Sequence, residues 1–480
     1  MRNTTPFFAG FHRLLFGRAQ RSAEQQLRAQ KQAFEQATLC QLGKLCAPWV
    51  PTRLLKPAAR GAHSRQRLFP QSLTFWAFLS QVLSPGSPCR ETVRKVQVWY
   101  AARRLPRPAS DTGAYCRARS RLNRQTLLGI HRHTADELDR RLSSDQLWCG
   151  RHVKVVDGTG VSMPDTPKNQ RAFPQPSSQK KGCGFPVAKL VGCFSLASGA
   201  LLQWAEGTLR VHESQLFRRL FDFFKPDDIA LTDRAFCSYV DIATLGRAGV
   251  DAVMRLHQSR PRDLRKGKRL GPNDRLVTWH KPSQRPRGCT LGDWRRTPDT
   301  LTLRLVYVSV SIPGFRTQSL VVVTTLIDHI AYPAQELARL YLRRWAVELF
   351  FRDIKITLGM DVLRCQTPAM VRKEIAMHAI AYNLIRALMQ QAAALYHVPI
   401  ERLSFKGSVD TLRQWAETLN AAHNRPREQT RLFNQLLQIL AEDIVPFRPE
   451  RAEPRVRKRR PKAYPLMTQP RRQYHLAYKS

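Results

Sequence analysis

The stretch VKVVDGTGVSMPDT, residues 153–166, decides how the rest of the chain is read: the mostly apolar run 153–156 has the character of a buried strand and ends in Asp157, followed at once by Gly158. The arrangement recurs in DDIALTDRAF, residues 227–236, where Ile229, Ala230 and Leu231 lead into Asp233. Outward from Asp157 the pattern predicts strands over 153–163, 187–196 and 201–210. A helical segment over 213–224 follows, then the strand ending at Asp233, a further helix and a strand over 251–256. An acid at the end of a buried strand also serves as a helix cap or turn former, so neither acid alone decides anything.

A third acid stands in PAQELARLYLRRWAVELFFRDIKITLGM, residues 333–360, which has no proline after Pro333 and no glycine before Gly359 and predicts one helix. Tyr341, Arg344, Glu348 and Lys355 are spaced by helical intervals within it. At about 100° per residue they fall near 0°, 300°, 340° and 320°, one narrow stripe. One carboxylate among two cations and a phenol suits a metal held against a phosphodiester, the acid on the metal and the others on phosphate oxygens. The plainer alternative is a solvated face with ion pairs one turn apart. Divalent cations such as Mg²⁺ take oxygen ligands and keep several waters, so two or three carboxylates from separate elements are an ordinary protein contribution. Of the nearby acids, Asp353 lies about 140° away from the stripe. Asp228 and Asp328 suit caps or turns, and Asp165, in a loop, is the best rival.

At 480 residues the chain is too long for one ordinary domain. Its formal charge of +43, from 79 Lys+Arg against 36 Asp+Glu, argues for a polyanionic partner. No apolar run is long enough to span a bilayer, and the patch at 7–16 is interrupted by His12 and Arg13, so neither a membrane span nor a secretory signal is expected. The 10 cysteines show no CxxC pair, which points to reduced thiols in the cytoplasm. His131 and His133 are expected to face solvent on a polar helix.

Residues 65–141 read as helical and basic, with helices over 73–83, 87–104 and 111–122, Asp111 as an N-cap, and Arg90, Arg94, Lys95, Arg103, Arg104, Arg117, Arg119 and Arg121 along them. These suit a DNA-binding module or the charged faces of a helical bundle. Lys168, Arg171, Lys180 and Lys181 lie in a long loop over 165–185. Residues 259–319 read as mostly β, with a basic run over 260–275 and with Trp279 and Trp294 placed either to stack on a displaced base or to pack in a core. Helices are expected over 367–397 and 413–444. The tail from Pro446 clusters Arg455, Arg457, Lys458, Arg459, Arg460 and Lys462 among prolines, as a phosphate-tracking segment would.

With Asp157 in VVDGTG, Asp233 in LTDRAF and Y-x2-R-x3-E-x6-K at Tyr341, Arg344, Glu348 and Lys355, the chain resembles the DDE transposases of bacterial insertion sequences, specifically the IS4-like group. MPDTPKNQRAFPQPSSQKKGCGFP, YPAQELARLYLRRW, LRCQTPAMVRKE and RKRRPKAYPL extend the likeness from about residue 73 to the C-terminus. The resemblance implies an α/β fold: a ribonuclease-H-like catalytic core, whose strand order the pattern above matches, with a mostly β insertion and helical N- and C-terminal regions. The boundaries expected are 1–145 for the basic N-terminal DNA-binding region, 146–258 and 320–366 for the core, 259–319 for the insertion, 367–445 for the C-terminal helices and 446–480 for the tail. It implies two Mg²⁺ ions, with Mn²⁺ as a substitute, on Asp157, Asp233 and Glu348, and Tyr341, Arg344 and Lys355 on DNA phosphates. It implies double-stranded DNA as partner, both terminal inverted repeats and target, a homodimer in the synaptic complex and a cytoplasmic, nucleoid-associated place. The alternatives are a metal-dependent nuclease with the same core and a noncatalytic end-binding regulator or relic.

Overall fold

The computed structural model describes residues 49–56, 68–102, 104–260, 267–310, 319–422, 425–446, 466–471 and 473–474. The expectations for residues 1–48, for Arg103, for 261–266 of the basic run and for the basic cluster between Arg455 and Lys462 lie outside the described residues. The chain divides into two compact units. One is drawn from Met1–Leu138, Ile356–Met360 and Arg372–Val445, the other from Asp139–Lys355, Asp361–Val371 and Pro446–Ser480.

Among the described residues, four α-helices precede the first strand: α1 (Gln71–Leu83), α2 (Cys89–Ala102), α3 (Gly113–Arg121) and α4 (Arg124–Arg140). Asp111 stands just ahead of α3 rather than capping it, its Oδ1 accepting the Gly113 N–H at 2.8 Å. Helix α4 buries Leu127, Ile130, His131, Thr134, Ala135 and Leu138, a stripe at three- and four-residue intervals. His131 falls on that stripe and is buried, so the expectation that it faces solvent does not hold.

The second unit is built on the strand that ends its apolar run at Asp157. Strands β1 (Val153–Ser162), β2 (Val187–Ser195) and β3 (Leu201–Thr208) are antiparallel neighbours. Strands β4 (Ile229–Thr232) and β5 (Asp251–Arg255) add parallel to β1 in the order β3-β2-β1-β4-β5, which is the order of a ribonuclease-H-like core. The connections carry α5 (Pro167–Ala172), α6 (Glu213–Arg218) and α7 (Tyr239–Arg247). The helix expected over 213–224 stops after Arg218, and the chain turns so that Phe217 meets Phe221 and Phe224 edge to face. The first four residues of β1 are all buried, Lys154 included, because the sheet is covered on both sides there. Lys154 is neutralised by Asp228 at 2.5 Å and lies 4.5 Å from the Phe223 ring.

The strands in the expected insertion continue the same sheet, joined to it by the strand at the start of the expected second core segment. Strands β6 (Lys268–Gly271), β7 (Asp274–His280), β8 (Thr300–Ser309) and β9 (Ser319–Thr324), with α8 (Leu291–Arg296) after β7, extend it to nine strands through an antiparallel β5–β9 pair. One apolar cluster runs through both halves, from Val156 and Val191 through Ala230 and Met254 to Leu303 and Val323. Arg304, fully buried, pairs with Asp274 and donates to the carbonyls of Leu326 at 3.3 Å and Tyr332 at 2.6 Å. It thereby pins the turn before α9 (Ala334–Arg343), which α10 (Ala346–Arg352) follows.

Helix α11 (Pro368–Tyr396) is buried on every side around Ile375, Ala376, Met377, Ala379 and Ile380, as an apolar helix without an amphipathic stripe must be. The single helix expected over 413–444 is two, α12 (Phe405–Ala421) and α13 (Pro426–Glu442), because Pro426 starts a new first turn. Among the described residues no helix is long and apolar enough to cross a membrane.

Candidate active site

Strand register brings the two strand-end acids together. Val156 lies opposite Thr232, and Thr232 opposite Met254. One position further along, where the parallel pairing stops, come Asp157, Asp233 just past β4 and Arg255 at the last residue of β5; Asp157 is inside its strand rather than at the expected end, because β1 runs on to Ser162 paired with β2. Open α/β sheets bind their ligands at this end of their parallel strands. Asp157 Oδ1 accepts the Gly158 N–H at 2.7 Å, and Asp233 Oδ1 accepts the Ala235 N–H at 2.8 Å, capping the 3₁₀ turn Arg234–Phe236. Asp233 is thus both a cap and a strand-end acid, with its other oxygen taking no hydrogen bond among the described residues.

The helix expected over 333–360 is broken. From Tyr341 to Glu348 the backbone tightens: the N–H groups of Arg344, Val347 and Glu348 reach carbonyls three residues back at 3.1 Å. A π-helical turn then spans Asp353–Thr357, and Gly359 ends the segment with φ 75°. A 3₁₀ stretch advances by about 120° per residue rather than 100°, so the narrow stripe opens. Tyr341 is buried, the Arg344 side chain is 9% exposed, and Glu348 is 63% exposed. Trp345 sits at the tight turn, 6.3 Å from the Tyr341 ring and 5.3 Å from the Arg344 guanidinium.

The expected side chains nevertheless gather around the two strand ends. Arg344 reaches Asp157 Oδ2 through Nη1 at 3.5 Å and Glu348 Oε1 through Nη2 at 3.9 Å. Lys355 Nζ donates to Thr159 Oγ1 at 3.1 Å, two residues past Asp157. Tyr341 has Arg344, Asp233 and Arg255 as charged neighbours, and burial pushes its phenol above the ordinary value. Burial also raises the Asp157 carboxyl to about 6; the Gly158 N–H and Arg344 oppose the shift, while Asp233 and Glu213 add to it. Both Arg344 ion pairs are longer than the roughly 2.7–2.9 Å of a good charge-assisted bond. Its Nε is buried with no partner among the described residues. This guanidinium is under-bonded and faces acids.

Carboxylate oxygens suit a hard divalent cation, and an under-bonded guanidinium beside them suits an anion brought with it. As the side chains stand, no three metal-ligating residues among those described are close enough to hold one ion. Asp157 and Asp233 form an inner pair, while Glu348 rests on Arg344. The donor chemistry therefore fits a metal, with Glu348 as the acid that has farthest to come.

Two residues here escaped the sequence reading. Arg255 is reached by counting across the register from Asp233, a signal present in VMRLH once the strands are aligned. Glu213 opens α6 and lays its carboxylate against Gly158, with no motif to flag it. The rival acids have other partners. Asp165 is exposed and accepts from Gln170 at 2.8 Å, Asp228 is bound to Lys154, Asp328 accepts the Ile330 and Ala331 N–H groups, and Asp353 is buried beside Arg352. Lys168, Arg171, Lys180 and Lys181 are exposed. Trp279 packs on the core cluster with Arg260 3.8 Å from its ring, and Lys281 lies 4.7 Å from Trp294.

A family described as Transposase DDE domain matches residues 148–384. The chain is 27% identical over 436 residues to the transposase InsG for insertion sequence element IS4 of Escherichia coli (strain K12), covering 89% of this chain and 93% of that protein. Among solved structures, piggyBac transposase in a synaptic complex with hairpin DNA aligns with 86% of this chain and 85% of its own, at a TM-score of 0.40 and 10% identity.

Proposed function

We propose that this chain, which belongs to the IS4-like DDE transposases of insertion sequences, holds its divalent ions on Asp157, Asp233 and Glu348. It is a DNA transposase, a polynucleotidyl transferase, and the family's reaction uses divalent metal ions. The assignment rests above all on the register that sets Asp157 beside Asp233 where the parallel pairing of β1 with β4 stops, with Arg344 reaching Asp157. Mg²⁺ is the ion these oxygen donors suit, with Mn²⁺ as a substitute. When bound, such ions activate the attacking oxygen and stabilise the leaving one.

The chain's own residues supply the rest. The Gly158 N–H and Arg344 favour the ionised form of Asp157 that a cation requires. Arg344 turns its unused donors to the phosphate beside the scissile bond. Tyr341, kept protonated by burial, donates its hydroxyl to the same phosphate, and Lys355, steadied by Thr159, adds a second cation. Water attacks first and frees a 3′-OH at the element end. That hydroxyl then attacks DNA: it first closes a hairpin on the opposite strand, water reopens the hairpin and frees the 3′-OH again, and the 3′-OH joins the target. No covalent enzyme intermediate is needed.

The element's terminal inverted repeats are the DNA bound, and two copies of the chain hold two ends in one synaptic complex. Within the chain, residues 1–145 bind DNA through their basic helices, 146–258 and 320–366 carry the chemistry, 259–319 and the tail 446–480 grip further phosphates, and the helices of 367–445 serve the dimer. The working place is the nucleoid.

The test is incubation of purified protein with end-bearing DNA in Mg²⁺, beside Asp157→Ala. End-specific 3′-OH products followed by joined molecules, absent from the variant, are expected. Nicked products that never join would point to a nuclease with the same core, and tight binding without chemistry to a noncatalytic end-binding protein.

A further inference from the structure

The thiols of Cys89 and Cys116 meet where α1, α2 and α3 pack together. Cys89 is the first residue of α2, whose opening turn is closed by the Thr92 N–H on the Pro88 carbonyl at 3.3 Å, and Cys116 lies within α3. The two sulfurs share one donor: Arg119 Nη2 stands 3.3 Å from Cys89 Sγ and 3.9 Å from Cys116 Sγ. Gln81 of α1 donates to Cys89 Sγ through Nε2 at 3.6 Å, while its Oε1 accepts from the Tyr115 hydroxyl at 2.9 Å and from Arg119 Nη1 at 3.3 Å. The Phe78 and Tyr115 rings, each 5.0 Å from the guanidinium, hold it in place over the sulfurs.

The two thiols are within hydrogen-bonding reach of one another and are not linked. The hydrogen bond with Cys116, then Arg119 and Gln81, holds the Cys89 thiol well below its ordinary value, against burial and the charge of Glu374. The same hydrogen bond, with burial, pushes Cys116 up. A place at the N-terminus of a 14-residue helix favours the Cys89 anion as well. A sulfur anion beside a second, protonated sulfur suits the first to attack and the second to resolve the product. Packing alone would not ask for this arrangement. Cys193 and Cys237 are sealed in the core, whereas Cys89 and Cys116 are both partly exposed and open to a small reagent.

We propose that Cys89 and Cys116 are a peroxide-sensitive dithiol, in which Cys89 is the attacking sulfur and Cys116 closes a reversible disulfide. The Cys89 sulfur attacks one oxygen of a hydroperoxide: an S–O bond forms, the O–O bond breaks, and the departing oxygen takes up a proton to leave as an alcohol, or as water from hydrogen peroxide. Cys116 then attacks the Cys89 sulfur. An S–S bond replaces the S–O bond, and the hydroxyl leaves as water with the Cys116 proton. The two thiols lose two electrons, the peroxide gains them, and a dithiol reductant reverses the change. The bond ties the first turn of α2 to α3 and removes the anion that Arg119 faces.

The test is the full-length protein treated with a small excess of hydrogen peroxide, its remaining thiols blocked with iodoacetamide, and digested without reductant for mass spectrometry. A Cys89–Cys116 cross-link that dithiothreitol removes is expected as the main product. In Cys116→Ser the reaction should stop at a Cys89 sulfenic acid, trapped by dimedone, and Cys89→Ser should leave Cys116 unoxidised, with circular dichroism confirming that each variant is folded. Before oxidation, iodoacetamide at pH 6 should alkylate Cys89 about ten times faster than the exposed Cys149, the larger thiolate fraction being partly offset by weaker nucleophilicity. Alkylation of Cys89 no faster than of Cys149, or a wild-type oxidation product without the Cys89–Cys116 link, overturns the proposal.

Discussion

The Asp157 carboxyl is held out of solvent beside two other acids, and its affinity for a proton is correspondingly high. In the unfolded chain it titrates near 3.8, in the folded metal-free protein near 6. Below the lower value both forms are protonated and burial has no charge to oppose. Between the two the folded state binds more protons, so this group lowers stability as pH rises, by about 2–3 kcal/mol once pH exceeds 6. Asp157→Asn should therefore raise the melting temperature of the metal-free protein at pH 7.5, with the gain shrinking towards nothing at pH 4. Scanning calorimetry in EDTA at both values checks this, and a fall in melting temperature at both would contradict it. Arg344 makes a separate prediction. Because its planar donors are under-used, Arg344→Lys keeps the charge but loses the fork. We expect cleavage to fall by about one to two orders of magnitude, consistent with losing a transition-state donor, while end binding in EDTA is retained. Asp157 and Asp233 were legible in the sequence because an apolar run points straight at each. Glu213 and Arg255 were not, because their nearness to Asp157 and Tyr341 depends on strand register and on a helix docking against a glycine.

The elements show the same division. Strands β1 to β5 were legible within a few residues because each carries a short apolar run, continuous in the parallel β4 and β5 and in the first part of β1. That β6 to β9 continue the same sheet was not, since the pairing of β5 with β9 joins residues about seventy positions apart. The break between α9 and α10 was also invisible: no glycine or proline stands there to mark it, and the tightening comes where Tyr341, Arg344 and Trp345 crowd together. What fixes α9 is Arg304, buried on β8 and bonded to Asp274 and to the carbonyls that precede the helix. Arg304→Met should cost about 3–5 kcal/mol by stranding Asp274 in the interior, and Arg304→Met with Asp274→Leu should recover part of it. Urea unfolding of the three proteins measures this; a double variant no better than the single would show that the bonds to the carbonyls, not the ion pair, carry the stability.

Over the whole molecule a charge of +43 surrounds a site centred on three acids. The cations must hold DNA close enough that the acids can act on it, which makes binding strongly salt-dependent. Removing residues 446–480, which carry Arg455, Arg457, Lys458, Arg459, Arg460 and Lys462, should weaken binding and lower the slope of log affinity against log salt by about one for each phosphate that the tail neutralises. An unchanged slope would show that the tail does not touch the backbone. The central claim is that three acids far apart in sequence act as one metal-dependent site. It is tested most directly by the rate of Mg²⁺-dependent 3′-OH release from end-bearing DNA for Asp157→Ala, Asp233→Ala and Glu348→Ala, each checked for wild-type DNA binding in EDTA. All three should bind normally and release nothing measurable; wild-type release from any one of them would remove that acid from the site and contradict the account.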